Sequence, residues 1–107
     1  MTESRELFVA EENDGIVGFG QLNVESGEVE AVYVLPNAER QGVGTRLLRT
    51  LEEYAQKHGL TSLHLDASLN AVPFYLSAGY VPVREAKHRL RADVEIACVV
   101  MEKGLKK

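Results

Sequence analysis

Gly42 and Gly44 fall where apolar alternation at spacing two gives way to helical spacing at Val43, Leu47, Leu48, Leu51, Tyr54, Ala55 and His58. A helix that starts there presents backbone N–H groups without partners at the positive end of its peptide dipoles. Glycines let the main chain approach an anion closely, so Gln41, Gly42, Val43, Gly44 and Thr45 can offer amides to a pyrophosphate. A tight turn that merely begins a helix would carry the same two glycines. Two familiar phosphate loops are excluded. There is no Gly-Lys-Ser or Gly-Lys-Thr for a nucleoside triphosphate, and no third glycine with a later acidic strand end for a dinucleotide.

The other reactive side chains are dispersed. The single cysteine, Cys98, lies in the apolar run IACVVM and reads as a small buried hydrophobe, since a reactive thiol needs an exposed electropositive setting. His58 stands near a helix C-terminus, where it complements the dipole; His64 shares a strand face with Asp66, and His88 lies in an arginine-rich strand. No His, Cys or carboxylate cluster occurs at ligand spacing, so no metal is expected.

The elements that must position these residues can be read in order. Leu7 to Glu12 and Ile16 to Leu22 are strand-like and flank the turn residues Asn13, Asp14 and Gly15. Gly18 and Gly20 mark either a bulge or a close approach by another element. Glu28 to Leu35 is a third strand, with Val29, Ala31, Tyr33 and Leu35 on one face and Glu28, Glu30, Val32 and Val34 on the other. The helix after the glycines ends at Gly59, with Arg49, Glu53 and Lys57 paired on its wet side. Ser62 to Ala67 is then a strand parallel to the third, through a right-handed crossover. A short helix follows, with Asn70 as N-cap, Pro73 in its first turn and Gly79 at its close. Residues 81 to 91 and 94 to 103 read as a last antiparallel pair turning at Ala92 and Asp93.

At 107 residues the chain allows one domain, 1–107, with a core that needs no staples. A net charge of −4 argues against nucleic acid as a partner and mildly favours a cationic one. The opening MTESRE is too polar for a secretory signal, and no apolar run approaches a membrane span, so a cytoplasmic protein without membrane contact is expected.

The run VYVLPNAERQGVGTRLL resembles the acetyl-coenzyme A loop of the GNAT superfamily of N-acetyltransferases, whose pattern is Arg or Gln, two residues, Gly, one residue, then Gly or Ala. Gly42 and Gly44 match its last two positions; the first holds Glu39, with Arg40 one place later. AxxFYxxxGY, from Ala71 to Tyr80, resembles a second motif of the same family in the right order, and VVMEKGL is similar to its last strand. The resemblance covers Leu7 to Leu105. It implies an α/β (α+β) fold with a mixed, largely antiparallel twisted sheet, a central parallel pair and helices packed on it.

It also implies acetyl-CoA as co-substrate and an amine as acceptor. The third strand would splay from its parallel neighbour, leaving main-chain groups at Val32 and Val34 for the pantetheine arm. Gln41 to Thr45 would take the diphosphate with help from Arg40 and Arg46, and Asn70 joins the coenzyme-binding set. Tyr75 matches the tyrosine that protonates the departing sulfur, although it also suits a buried aromatic of the short helix. Glu28 and Glu30 are the candidates for a base, or else belong to a solvated strand face. Family members usually begin with a strand and two helices that are not seen here. The expectation is a short form whose acceptor cleft is completed by a homodimer or partner protein, because one sheet face is left partly uncovered. The alternative is a non-catalytic acetyl-CoA-binding module; a fold used only for subunit contacts would bind no coenzyme.

Overall fold

The computed structural model describes residues 4–13, 15–38 and 42–105. The chain runs β1 (Arg5–Glu12), β2 (Gly15–Asn23), β3 (Glu28–Val34), a 3-10 turn (Pro36–Ala38), α1 (Val43–Lys57), β4 (Ser62–Ser68), a second 3-10 turn (Leu69–Ala71), α2 (Val72–Ser77), β5 (Val81–Arg91) and β6 (Val94–Gly104). Its six strands form one sheet in the order β1-β2-β3-β4-β6-β5. All neighbours are antiparallel except β3 and β4 at the centre, as the helical crossover between them requires.

Strict alternation along β4 buries Leu63, Leu65 and Ala67. These meet the stripe Leu48, Leu51 and Ala55 of α1, Tyr75 of α2, and Leu22, Val29, Tyr80 and Met101 in a single core. Both helices therefore pack on the same sheet face. Each fully buried leucine contributes about 1.5–3 kcal/mol relative to exposure, which fixes α1 across the strands. At the end of α1 the Leu60 N–H donates to the Ala55 carbonyl and the Gly59 N–H to Gln56, with Gly59 at φ 87°. This left-handed stop is the one the glycine predicts. Arg49, Glu53 and Lys57 are exposed as expected, but the short ion pair of α1 runs from Glu52 to Lys103, at 3.1 Å.

Gly18 and Gly20 are sites of close approach. A Cβ on Gly18 would stand 2.7 Å from the Tyr33 carbonyl and 3.2 Å from Leu47 Cδ1, and one on Gly20 would stand 3.0 Å from Leu51 Cδ1. Their small size lets α1 lie against β2. The bulge falls elsewhere. Gln21 pairs with Ala31 but Leu22 pairs with Val29, so Glu30 is the extra residue on β3. That single insertion overturns the expected faces of β3: Val29, Val32 and Val34 lie toward α1, opposite Leu22, Gly20 and Gly18, while Glu28, Ala31 and Tyr33 lie on the far face.

A second correction concerns α2. Its N-cap is Ala71, and Asn70 sits inside the preceding 3-10 turn. Pro73 still occupies the first turn, where its missing N–H costs nothing. The far face of the sheet leaves Leu7, Val9, Phe19, Tyr33 and Ile96 exposed, with Leu7 61% accessible. Cross-strand pairing of Val9 with Phe19 and of Phe19 with Tyr33 places three of these in one apolar row. No described helix is long and apolar enough to cross a membrane.

Candidate functional site

The central parallel pair is joined at one point, Glu28 against His64, with the His64 N–H donating to the Gly27 carbonyl at 3.0 Å. Beyond it β4 is paired along its length with β6, and β3 is left to diverge. Peptide groups alternate direction along a strand. The Leu35 N–H donates to Val17 of β2 at 2.8 Å, so the main-chain groups of Val34 and Val32 point the other way, into the gap. The splay therefore exposes a ladder edge in the middle of the sheet.

The gap opens into a cavity of about 500 Å³ lined by Val32, Tyr33, Val34, Ala38, Gly42, Gly44, Thr45, Ala71, Phe74 and Tyr75. At its rim Gly42 caps α1 in the left-handed region, φ 80° and ψ 6°, with no side-chain cap. Its carbonyl accepts from the Arg46 N–H at 3.0 Å, the first helical bond, so the amides of Val43, Gly44 and Thr45 have no intrahelical acceptor. The Val43 side chain is buried in the core and only its amide is available. Gly44 is held close to the opposite wall: a Cβ there would lie 3.3 Å from the Phe74 ring and 3.6 Å from Val34 Cγ2.

Tyr75 lies across the cavity from β3 and is 8% exposed. Its ring is fixed edge-on between Phe74 and Tyr80, with centroids at 5.0 and 5.7 Å. Its hydroxyl has no hydrogen-bond partner among the described residues, yet no buried side-chain oxygen there is left unpaired, so the oxygen opens onto the cavity. Burial pushes its pKa above the ordinary phenol value, and it stays protonated through neutral pH. Tyr80, by contrast, is spent on structure. Its hydroxyl donates to Glu52 at 2.9 Å, and Lys103 closes the group with bonds to Glu52 and the Ala78 carbonyl. Burial and the Glu52 carboxylate raise the Tyr80 pKa far above the usual range.

The family model for the acetyltransferase (GNAT) domain matches residues 1–104. The chain belongs to this family. It is 32% identical over 95 residues to the aminoglycoside N(6')-acetyltransferase type 1 of Klebsiella aerogenes, a match covering 76% of this chain and 62% of that protein. The structure of a GCN5-related N-acetyltransferase from Rhodopseudomonas palustris superposes with a TM-score of 0.89 at 30% identity, over 94% of this chain and 62% of that one. The PaiA N-acetyltransferase of Thermoplasma acidophilum, solved in complex with coenzyme A, shares the fold with a TM-score of 0.77 at 20% identity, over 94% and 61% of the two chains. The chain thus spans about three fifths of the length of these relatives.

Of the residues singled out in this GNAT chain, the cavity gathers Val32, Val34, Gly42, Gly44, Thr45 and Tyr75. Arg40 and Gln41 lie outside the described residues. Arg46 is exposed and turns to Glu12, 3.4 Å away. Asn70 is exposed and does not line the cavity. Glu28 and Glu30 lie on the far face near the junction of the parallel pair. Glu30 accepts hydrogen bonds from Arg5 Nε at 2.7 Å and Gln21 Nε2 at 2.8 Å, and the Arg5 contact first, then Gln21, hold its pKa below the ordinary value. Glu28 has no ion-pair partner among the described residues. Sequence reading missed Tyr33, Ala38, Ala71 and Phe74 as cavity walls. The meeting of α2 with the start of α1 reveals Phe74, and the place of β3 and of the turn after it reveals Tyr33 and Ala38.

Proposed function

We propose that this chain transfers an acetyl group from acetyl-CoA to a primary amine of a small molecule or protein. The observation that carries the reading is one cavity bounded by three unlike features: the free edge of β3, the uncapped amides at Gly42 to Thr45, and an unpartnered tyrosine hydroxyl. The residues fit such a co-substrate. Among the described residues, nothing lies within 4 Å of where a Cβ on the left-handed Gly42 would stand, which leaves room for a diphosphate against the helix start. The edge at Val32 and Val34 suits an amide-bearing arm that pairs as a short extra strand. One fold neighbour, the PaiA N-acetyltransferase, is in complex with coenzyme A, which agrees.

Bound there, acetyl-CoA supplies an activated thioester. The chain's part is then positional and electrostatic. The Val34 N–H points into the gap, where it can polarise the thioester carbonyl. As the amine nitrogen bonds to the carbonyl carbon and the carbon–sulfur bond breaks, sulfur gains a negative charge and nitrogen must lose a proton. The Tyr75 hydroxyl donates to that sulfur. Its raised pKa lies above the roughly 8.5 of a thiol, so complete transfer is favourable only in concert with the proton the nitrogen releases.

An alkylammonium acceptor must first lose a proton to a base. Glu28 serves better than Glu30, whose charge Arg5 already holds. Both lie on the far face, so the acceptor approaches through the gap from the side opposite the coenzyme. An overall charge of −4 favours a cationic amine, as does the likeness to an aminoglycoside acetyltransferase. The exposed row of Val9, Phe19 and Tyr33 suits a homodimer or partner protein that completes the acceptor side. A lone unpaired cysteine fits a cytoplasmic setting.

A second reading, a non-catalytic acetyl-CoA-binding module, draws on the absence of both glutamates from the cavity wall. Thermal unfolding with acetyl-CoA tests the shared part: at a hundredfold the dissociation constant the ligand adds about 2.7 kcal/mol. No shift would sink both readings. Thiol release with a panel of amines separates them, and Tyr75→Phe should lower the rate at least tenfold with the coenzyme still bound.

A further inference from the structure

We propose that Asp66, His88 and Cys98 form a binding site for a divalent transition metal of the zinc class. The three come from β4, β5 and β6, far apart in sequence. Pairing brings them together, because Cys98 stands opposite Ser68 on one side and Ala86 on the other, and Asp66 and His88 lie two residues along from those partners. Asp66 and His88 are thus each a diagonal neighbour of Cys98 on one sheet face, within the reach of such pairs. Their ligand atoms lie within 4.8 Å of one another.

The geometry suits an ion better than a hydrogen bond. His88 Nδ1 and Asp66 Oδ2 are 3.4 Å apart, beyond the usual range for a side-chain hydrogen bond. In a tetrahedral zinc site with Zn–N and Zn–O of about 2.0–2.1 Å, the nitrogen–oxygen edge is about 3.3–3.4 Å. A rotamer adjustment of about 1 Å brings the sulfur to the same distance from both. Thiolate, imidazole and carboxylate together form a borderline donor set that favours zinc and disfavours calcium or magnesium, which take oxygen ligands.

Burial grades the site. Cys98 is 4% exposed and lies between its two flanking strands, whereas Asp66 and His88 are exposed at the rim, leaving the fourth position to water. Cys98 also borders a hollow of about 260 Å³ with Leu69 and Ala86, which lets the sulfur rotate. Binding displaces the thiol proton to solvent, so no other reactant is required. A bound ion would tie the edge strand β5 through β6 to β4. The site is on the face opposite the acetyl-CoA cavity, since Leu65 and Ala67 on either side of Asp66 turn into the helix-covered core. It does not depend on the acetyltransferase reading.

The test uses tag-free full chain stripped with a chelator and titrated with zinc against a chromophoric competitor, then with cobalt(II). One equivalent should bind with Kd at or below about 1 μM, and cobalt should show a thiolate charge-transfer band. Because Cys98 is the only cysteine, Cys98→Ser should abolish that band. His88→Asn, at an exposed position, should keep the band and weaken zinc binding at least tenfold, while His58→Gln should bind as the parent does. Far-ultraviolet dichroism and melting of the metal-free variants establish folding; should Cys98→Ser not fold, His88→Asn and Asp66→Asn carry the test. Absence of the cobalt band in the parent, or zinc affinity unchanged in both His88→Asn and Asp66→Asn, overturns the proposal.

Discussion

Replacing the two glycines of the loop one at a time should separate stability from coenzyme binding. Gly42 has φ 80°, and a Cβ there meets nothing within 4 Å among the described residues. The penalty for Gly42→Ala is then the left-handed conformation alone, about 1–2 kcal/mol. For a domain of this size that lowers the melting temperature by about 5–15 °C. Gly44 lies inside α1, so alanine gains up to about 1 kcal/mol of helix propensity, and the tight 3.3 Å approach to Phe74 offsets part of it. Stability of Gly44→Ala should remain within about 1 kcal/mol of the parent. Relief of the contact drives the Phe74 ring into the cavity, and acetyl-CoA affinity should fall at least tenfold. Urea unfolding and a thermal-shift titration measure the two effects. If Gly42→Ala is as stable as the parent, or Gly44→Ala binds the coenzyme with parental affinity, the account of this loop is wrong.

Lys103→Met should cost about 1–3 kcal/mol in urea unfolding, because it strands the part-buried Glu52 carboxylate and the Ala78 carbonyl. Arg91→Ala should change stability by less than about 0.5 kcal/mol, since its pair with Asp93 is almost wholly in water. Leu51→Ala, at a fully buried position against Gly20, should cost about 2–5 kcal/mol. Folding raises the Tyr75 pKa, so its contribution is complete below the unfolded value of 10.0 and is lost as pH rises past the folded one. Stability should therefore fall above about pH 10, and Tyr75→Phe should flatten that slope. The Glu30 pKa is lowered, so its contribution is present above the ordinary 4.5 and lost on acidification below it. Arg5→Ala should weaken that acid limb, read by unfolding across the same range.

By itself the sequence determined the elements and their order. Val43, Leu47, Leu48, Leu51 and Ala55 at helical spacing, and Leu63, Leu65 and Ala67 at spacing two, encode which faces must leave water, a property of each segment alone. Gly42 and Gly59 marked the ends of α1 because only glycine enters the left-handed region freely. The cavity membership of Gly42, Gly44 and Tyr75 was legible for a related reason: each sits in a short contiguous motif. Three things were settled only by the tertiary structure. Pairing with β2 placed the bulge at Glu30, which moved Val32 and Val34 to the face of Val29 and parted them from the glutamates. Contact of α1 with α2 made Phe74 a wall. The sheet register assembled Asp66, His88 and Cys98. Each depends on which residue stands opposite which, and no periodicity within a single segment encodes a relation between segments.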